Sequence, residues 1–249
     1  LQSGDSPKER TPIVATMLFS HTHHDHTQGF PFFAPAHLGS STLYIFGPRL
    51  FQEDLEEALS RAMLPPSHPI ELHDLKSLKI IRNIEESEVI LLRNESRKPE
   101  IKNVHRDEIT TDPGVAKISM FKSYAHPKVG ALIYKISWHG KSIVYASDTE
   151  SYIGGDTRLT AFAKGADLLI HDAQYTEEEY VSMPLPKQGW GHSTPEMAAA
   201  IAKASEVKRL AFFHHDPSHT DEFITEMEKQ AQKLFSQSFA AYEGLTIEL

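Results

Sequence analysis

Four short apolar runs organise the sequence, because each of them leads to a residue that can bind a metal or transfer a proton. Short apolar runs that are bounded by polar residues predict buried strands. The runs and the residues that follow them are Ile13–Phe19 before His21, 142–147 before Asp148, 166–170 before His171 and Asp172, and 208–213 before His214 and His215.

Helical periodicity lies between these strands. One pattern runs from Pro48 to Met63, and a second follows Thr194, a candidate N-cap with Pro195 at the first helical position. A third begins near Asp221, and its predicted buried face consists of Phe223, Met227, Ala231, Leu234 and Phe235. The alternation predicts an α/β fold whose ligands bind beyond the carboxyl ends of the strands.

We find neither an internal repeat nor a linker, so residues 1–249 are expected to form a single domain. The polar segment 67–112 is the least patterned part and predicts an insertion or a flap. No apolar run approaches the roughly 18 residues of a membrane helix, and nothing resembles a signal peptide. The expectation is a soluble, cytoplasmic protein without a membrane partner.

The absence of cysteine removes disulfides, thiolate zinc sites and cysteine nucleophiles from consideration. Any metal must therefore be held by nitrogen and oxygen donors, and the chain contains 15 histidines. The formal net charge of −9 repels polyanions over most of the surface, which disfavours a long nucleic-acid partner.

The densest group of donors follows the pattern H-x-H-x-D-H, in the stretch SHTHHDHTQGFPFF. His21 and His23 form one short-spaced pair, and Asp25 and His26 form the other. Because one tetrahedral ion does not easily use four ligands from six consecutive residues, the two pairs predict two adjacent cations. The alternative to a metal site is a solvent-exposed cluster of histidines. The donor residues that follow three later predicted strands argue against this alternative.

A third histidine for the first metal is expected among residues 37, 68, 73, 105, 126 and 139. The run ALIYKISWHGKSIVYASD predicts a β-hairpin with a two-residue turn at His139–Gly140, which pairs Asp148 back near Ala131. His126 then lies close to Asp148, whereas His139 lies at the opposite tip, roughly 25 Å away at about 3.3 Å per residue. We therefore expect His126 to be the ligand.

Asp148 has two carboxylate oxygens and can reach both metals. The second metal would then be held by Asp25, His26, Asp148 and one histidine of FFHHDP. Side chains alternate across a strand, so only one of these two histidines should face the site. We prefer His214, with His215 beside the ligands or on the surface.

Two further residues are expected to be catalytic. His192 lies on the glycine-rich GWGHST stretch directly before a helix N-terminus, a position that suits an anion, although it also suits a structural capping histidine. Asp172 ends a predicted strand and would support His192. The remaining histidines are expected to be solvated or to lie behind the ligands: His24, His37, His68, His73, His105 and His219.

Together these motifs resemble the metallo-β-lactamase superfamily of hydrolases, over nearly the whole chain from Ile13 to Leu249. HDAQY, GHST and FFHHDP resemble its phosphodiesterase branch, which includes tRNA 3′-processing endonucleases and cyclic-phosphate phosphodiesterases. The resemblance implies an αββα sandwich with two mixed sheets flanked by helices. It also implies one metal on His21, His23, His126 and Asp148, a second on Asp25, His26, Asp148 and His214, and a substrate-contacting His192 supported by Asp172.

The chain departs from that family in two respects. Members usually have a glycine-rich hairpin ahead of the HxHxDH strand, and here only 20 residues precede His21, so the N-terminal strands are expected to be missing. Without them a sheet edge would be unprotected. The glycine- and proline-rich arm with which tRNA-processing members grip tRNA is not evident, which favours a small phosphodiester over RNA as the substrate.

The expected reaction is attack on phosphorus by a hydroxide that bridges two divalent ions. Asp25 would orient this hydroxide, and His192 would protonate the departing alkoxide. Zn²⁺ suits the donors best, and Mn²⁺ and Fe²⁺ also fit them.

Three alternatives remain open: a thioesterase or lactonase of the same fold, a sensor that binds a signal with weak hydrolytic activity, and a structural metal site. The first predicts a more apolar pocket and a dispensable His192. The apolar GFPFFAPA segment makes a homodimer plausible, or else it covers the active site.

Overall fold

The computed structural model describes residues 11–49, 53–66, 68–152 and 154–249. The chain divides into two compact units, the first ending at Thr110 and the second beginning at Thr111. The residues ahead of Thr11 lie outside the described part, so the expected lack of N-terminal strands stays a prediction. No helix among the described residues is long and apolar enough to cross a membrane.

The first unit contains a three-stranded parallel sheet and an antiparallel hairpin. The sheet has the order β1 (Val14–Leu18), β2 (Thr42–Gly47) and β3 (Leu78–Asn83), and the hairpin joins β4 (Glu88–Leu92) to β5 (Glu100–Asn103). Its α-helices are α1 (His24–Thr27) and α2 (Leu55–Ala62). Buried apolar side chains, among them Leu43, Ile45, Leu59 and Met63, form the core of this unit. The polar segment 67–112 therefore contains regular strands.

Helix α2 begins later than its apolar pattern predicted. The N-cap is Asp54, whose carboxylate accepts a hydrogen bond from the Glu57 amide at 2.9 Å, while the Glu57 carboxylate accepts one from the Asp54 amide at 2.8 Å. This reciprocal capping box fixes the helix start at Leu55, so Pro48 is not the first helical residue. Leu50 and Phe51, which were expected to be in the helix, lie outside the described residues.

The second unit contains a mixed sheet with helices. Six strands follow the order β11-β10-β9-β8-β7-β6, antiparallel from β6 to β8 and parallel from β8 to β11. Their bounds are β6 Ala116–Ser123, β7 Ala131–Trp138, β8 Lys141–Ala146, β9 Leu168–Asp172, β10 Leu210–Phe213 and β11 Ser238–Ala240. The helices are α3 Thr157–Ala163, α4 Glu177–Val181, α5 Pro195–Ala204 and α6 Asp221–Leu234. The predicted start of α5, with Thr194 as N-cap, is confirmed.

Helix α6 is amphipathic, but its buried face is narrower than predicted. Met227 and Ala231 are buried, whereas Phe223 is 41% exposed and Leu234 is 40% exposed. Phe223 lies in the first turn and contacts the ring of His219, and Phe235 follows the helix and packs against the core from a half-buried position. The buried residues therefore lie in the middle of the helix, and the apolar residues toward its two ends are partly exposed.

The β7–β8 hairpin forms as predicted. Trp138 pairs with Lys141 around a two-residue turn in which His139 has φ +47° and Gly140 has φ +74°. Two positive φ angles match the twist of the adjoining strands. The same register runs from Tyr134 opposite Tyr145 toward the strand ends, and it brings Asp148 back beside the loop that carries His126.

Alanine at Gly130 is expected to destabilise the protein more than alanine at Gly140. Both glycines have left-handed backbones, which cost alanine about 1–2 kcal/mol. A Cβ at Gly130 would also lie 2.4 Å from the carbonyl oxygen of Ser123, whereas a Cβ at Gly140 meets no atom within 4 Å. Chemical denaturation should show a loss of about 2–5 kcal/mol for Gly130→Ala, because overpacking adds about 1–3 kcal/mol to the backbone cost. Equal losses in the two variants would contradict this account.

Candidate metal centre

The histidine-rich loop after strand β1 gathers its donors within the first unit. His21 is fully buried, and its ring centroid lies 4.5 Å from that of His23 and 4.2 Å from that of His26. Nε2 of His26 is 3.2 Å from a carboxylate oxygen of Asp25. The short helix α1 turns the chain within these residues, and His24 faces solvent on it, as expected.

The second unit places Asp148 between two histidines. Asp148 is 1% exposed, and its Oδ2 lies 4.0 Å from Nε2 of His126 and 3.4 Å from Nε2 of His214. Its Oδ1 accepts a hydrogen bond from the Ser147 hydroxyl at 2.5 Å. The structure thus brings both His126 and His214, the histidines chosen from the sequence, next to Asp148.

Both Asp148 and His214 have left-handed backbones, with φ of +56° and +61°. Each of them follows a strand, β8 or β10, at its carboxyl end. Such conformations cost non-glycine residues of the order of 1–3 kcal/mol and concentrate at functional sites. The two side chains lie together, with Nε2 of His214 3.4 Å from Oδ2 of Asp148, and this arrangement suits a binding role better than a structural one.

The ring of His126 is oriented by the loop 187–191. Its Nδ1 lies 3.2 Å from the carbonyl oxygen of Gly191, which fixes Nδ1 as the protonated nitrogen and leaves Nε2 toward Asp148. Histidine ligands commonly donate their second nitrogen to a carbonyl in this way. A Cβ at Gly191 would lie 2.4 Å from Nδ1 of His126, so this contact requires glycine.

His192 and Asp172 form a close pair beside these residues. Nδ1 of His192 lies 2.7 Å from Oδ2 of Asp172, which is fully buried. Oδ1 of Asp172 accepts hydrogen bonds from the amides of Ser193 at 2.9 Å and Gln174 at 3.2 Å. The ring of His192 stacks on that of His214, with centroids 4.9 Å apart and planes 9° apart. The second unit thus brings together His126, Asp148, Asp172, His192 and His214.

His171 and His215 point away from this cluster. His171 is fully buried, with Nδ1 2.7 Å from the Asp172 carbonyl oxygen and Nε2 3.3 Å from the Ser151 hydroxyl. Burial lowers the pKa of His171, which keeps its ring neutral. Nε2 of His215 lies 3.2 Å from the carbonyl oxygen of Ala241. Both histidines are bonded to backbone or hydroxyl groups of the scaffold.

The other histidines have local roles. His37 and His68 contact the carbonyl oxygens of Pro31 and Ile70, and His219 pairs with the Glu179 carboxylate at 2.8 Å. His73 and His105 are exposed. His68 and His219 are therefore hydrogen-bonded within the fold, and neither is a solvent-exposed surface residue.

Sequence reasoning missed one buried acid, Glu150, which is 1% exposed. Its carboxylate accepts hydrogen bonds from the Tyr180 hydroxyl at 2.5 Å and from the amides of Gly189 at 2.8 Å and Gly191 at 2.9 Å. Burial and the hydrogen bond to Glu150 raise the pKa of the Tyr180 phenol, which therefore remains a donor. The acid that follows Asp148 in SDTE was the available signal, but its partners lie 30 to 41 residues away.

The donor types of these clusters fit divalent metal ions. In the first unit the donor atoms of His21 and His23 lie within 4.8 Å of each other, as do those of Asp25 and His26. In the second unit the same spacing holds for His126 with Asp148 and for Asp148 with His214. Imidazole and carboxylate donors suit Zn²⁺, Mn²⁺ or Fe²⁺, and a buried carboxylate among imidazoles is well suited to balance their charge.

Comparison with known sequences identifies the family. The model of the β-lactamase superfamily domain matches residues 2–215. Ribonuclease Z of Metallosphaera sedula is 29% identical over 242 residues, which cover 91% of this chain and 78% of the relative. Ribonuclease Z of Bacillus subtilis is 20% identical over 268 residues, with 95% and 81% covered. These relatives belong to the branch that the sequence motifs indicated.

Solved structures show the same fold. The metallo-β-lactamase fold protein YhfI of Bacillus subtilis superposes with a TM-score of 0.60 at 20% identity, over 92% of this chain and 76% of that protein. The short form of human tRNase Z superposes with a TM-score of 0.54 at 21% identity, over 81% and 73% of the two chains. The chain therefore belongs to the β-lactamase superfamily domain family and is a metal-dependent hydrolase with the metallo-β-lactamase fold, as its motifs predicted.

Proposed function

We propose that this hydrolase is a dinuclear phosphodiesterase. His21, His23, His126 and Asp148 would hold one divalent ion, and Asp25, His26, Asp148 and His214 would hold the other. The observation that carries the proposal is the buried carboxylate of Asp148, which has an imidazole on each side and a left-handed backbone. A carboxylate with two oxygens and little exposure is suited to be shared between two ions.

The bound ions would supply Lewis-acid charge for the phosphoryl oxygens and would make water more acidic. The protein residues orient the reactants. Asp25 lies on the histidine-rich loop and would hold the attacking water by accepting its hydrogen bond. His126 is kept from rotating by its contact with Gly191, so its Nε2 keeps one direction.

His192 would deliver the proton to the leaving group. Its Nδ1 contacts Asp172, and Nε2 would be the nitrogen that donates the proton to a substrate oxygen. The buried carboxylate of Asp172 stabilises the imidazolium form and is itself held by two backbone amides. This dyad is the arrangement expected of a general acid, which an alkoxide leaving group requires.

The names of the relatives support a phosphodiester bond over a carboxyl ester. Two relatives are ribonuclease Z enzymes, and a further structural neighbour, at 17% identity, is described as a diphosphatase of the PhnP family. A thioesterase releases a thiolate, which leaves without a proton, and would therefore have little use for the His192–Asp172 pair. We therefore rank the carboxyl-ester hydrolase second and the sensor third.

Within the phosphodiesterases we propose a small phosphodiester, cyclic or linear, as the substrate, because the chain is acidic and no tRNA-gripping arm is evident in its sequence. RNA is the second candidate, and the ribonuclease Z relatives favour it. Zinc as the metal, a cytoplasmic location and a homodimer stay predictions.

Purified protein with measured metal content is expected to hydrolyse bis(p-nitrophenyl) phosphate and to lose that activity when a chelator removes the metal. Zn²⁺, Mn²⁺ and Fe²⁺ should then be compared in restoring turnover, with elemental analysis giving two ions per chain. A cyclic nucleotide and an RNA with a 3′ extension, assayed beside a thioester and a lactone, separate the substrate classes. Turnover of the thioester or lactone alone would overturn the proposal, as would a metal-loaded protein that hydrolyses nothing.

A further inference from the structure

The buried carboxylate of Glu150 plays no direct part in the proposed reaction, yet it joins three separate parts of the second unit. Its oxygens accept hydrogen bonds from Tyr180 on helix α4 and from the backbone amides of Gly189 and Gly191. Its own amide donates to the carbonyl oxygen of Ala125 at 3.0 Å, directly before His126. Glu150 therefore connects the loop of His126 with the loop that leads into His192.

The two glycines lie on either side of Trp190 and have left-handed backbones, with φ of +81° and +90°. A loop with this backbone has many alternative conformations, because glycine is the least restricted residue. Two amides fixed on one carboxylate remove much of that freedom. The hydrogen bond from Trp190 N to the Lys187 carbonyl oxygen at 3.0 Å closes the remaining turn.

The position of this loop sets the position of both site histidines. The Gly191 carbonyl oxygen contacts Nδ1 of His126, and His192 follows Gly191 directly in the chain. A shift of the loop by about 1 Å would break the 2.7 Å contact of His192 with Asp172.

We propose that Glu150 is a positioning residue that holds the 187–191 loop so that His192 faces the leaving group. The proposal rests on the proposed function, in which His192 is the general acid. Glu150 acts through the loop and does not touch the substrate. The charge matters because a carboxylate accepts hydrogen bonds at both oxygens, whereas an amide would turn a second donor toward Tyr180 and Gly189 or toward Gly191.

The test compares two substrates that share a thymidine phosphate and differ in the leaving group. A p-nitrophenyl ester of thymidine monophosphate releases a phenolate that leaves without a proton, whereas a thymidine dinucleotide releases an alkoxide that needs one. Glu150→Gln should lower kcat on the dinucleotide by about 10–100-fold, as expected for a residue behind the reacting groups, and kcat on the p-nitrophenyl ester by less than about threefold. KM should change little for either substrate.

Hydrogen exchange supplies a readout that needs no turnover. In Glu150→Gln the amide hydrogens of Gly189 and Gly191 should exchange at least about tenfold faster than in the wild type. The reason is that the loop opens locally more often when a hydrogen bond to residue 150 is lost. Tyr180→Phe, which removes one donor and keeps the charge, should show the same pattern to a smaller degree. It also keeps the proposal testable where Glu150→Gln does not fold. Glu178→Gln, an exposed acid of helix α4, is the matched control and should behave as the wild type.

Equal losses on both substrates, or unchanged protection of the two glycine amides, would overturn the positioning role. Failure of the proposed function is a different result. In that case the wild type hydrolyses neither substrate, or His192→Ala shows no preference between them, while the exchange measurement still decides whether Glu150 holds the loop.

Discussion

Replacing Asp148 with alanine is expected to remove bound metal and to lower turnover of bis(p-nitrophenyl) phosphate by more than about a hundredfold. Removing a residue that is only hydrogen-bonded to a metal ligand lowers metal affinity or activity by about 10–100-fold. Removing a ligand that two ions share should therefore lower them further. The Oδ2 atom of Asp148 also lies 4.0 Å from Nε2 of His126 and 3.4 Å from Nε2 of His214, so both imidazoles would lose the carboxylate that balances a cation between them. Elemental analysis of the purified variant measures the metal directly.

A second variant separates the charge of Asp148 from its shape. Asn tolerates the left-handed backbone that Asp148 adopts at φ +56°, so Asp148→Asn keeps the fold while it removes one anionic oxygen. We expect it to bind metal more weakly than the wild type. A variant that keeps two ions per chain and full turnover would exclude Asp148 as a shared ligand.

Asp167→Ala is the matched control for this experiment. Asp167 is a buried aspartate just before strand β9, at the end of the strand opposite Asp172, and it accepts hydrogen bonds from the Ser142 amide and the Lys208 ammonium group. Its removal should lower the free energy of unfolding and leave the metal content unchanged. Equal metal loss in both variants would indicate general destabilisation.

Where local rules decide the geometry, the sequence anticipated which candidate residues lie close together. A residue at the carboxyl end of a strand is placed by the strand itself, and the two-residue turn at His139–Gly140 sets the register that associates His126 with Asp148. Alternation along the chain likewise separates His214 from His215, whose ring contacts Ala241. In each case the relevant partners are near in sequence or fixed by hairpin pairing.

The errors arose where distant residues or competing local signals decide. Helix α2 starts at a capping box, Asp54 with Glu57, that outweighs the apolar pattern from Pro48 onward. Glu150 had no predicted role, because its partners Gly189 and Gly191 reach it only after helix α4 and two loops have folded. A sequence pattern carries no information on such a contact until the topology is known.

His192→Ala is expected to lower kcat on the thymidine dinucleotide by about 10²–10⁴-fold, the usual contribution of a general acid, while the p-nitrophenyl ester loses far less. The difference arises because an alkoxide is a poor leaving group without a proton, whereas a nitrophenolate is stable on its own. Asp172→Asn should show the same selectivity with a smaller loss, since its amide can no longer stabilise the imidazolium of His192.

The metal content of His192→Ala decides between two roles for this residue. Donor atoms of Asp172, His192 and His214 lie within 4.8 Å of one another, a spacing that would also let His192 bind a cation. In our assignment Nδ1 of His192 is hydrogen-bonded to Asp172, and His192 is not a metal ligand. The His192→Ala variant is then expected to keep two ions per chain and to lose kcat to an extent that depends on the leaving group. Loss of an ion, together with equal losses on both substrates, would instead make His192 a ligand and leave the proton to another group.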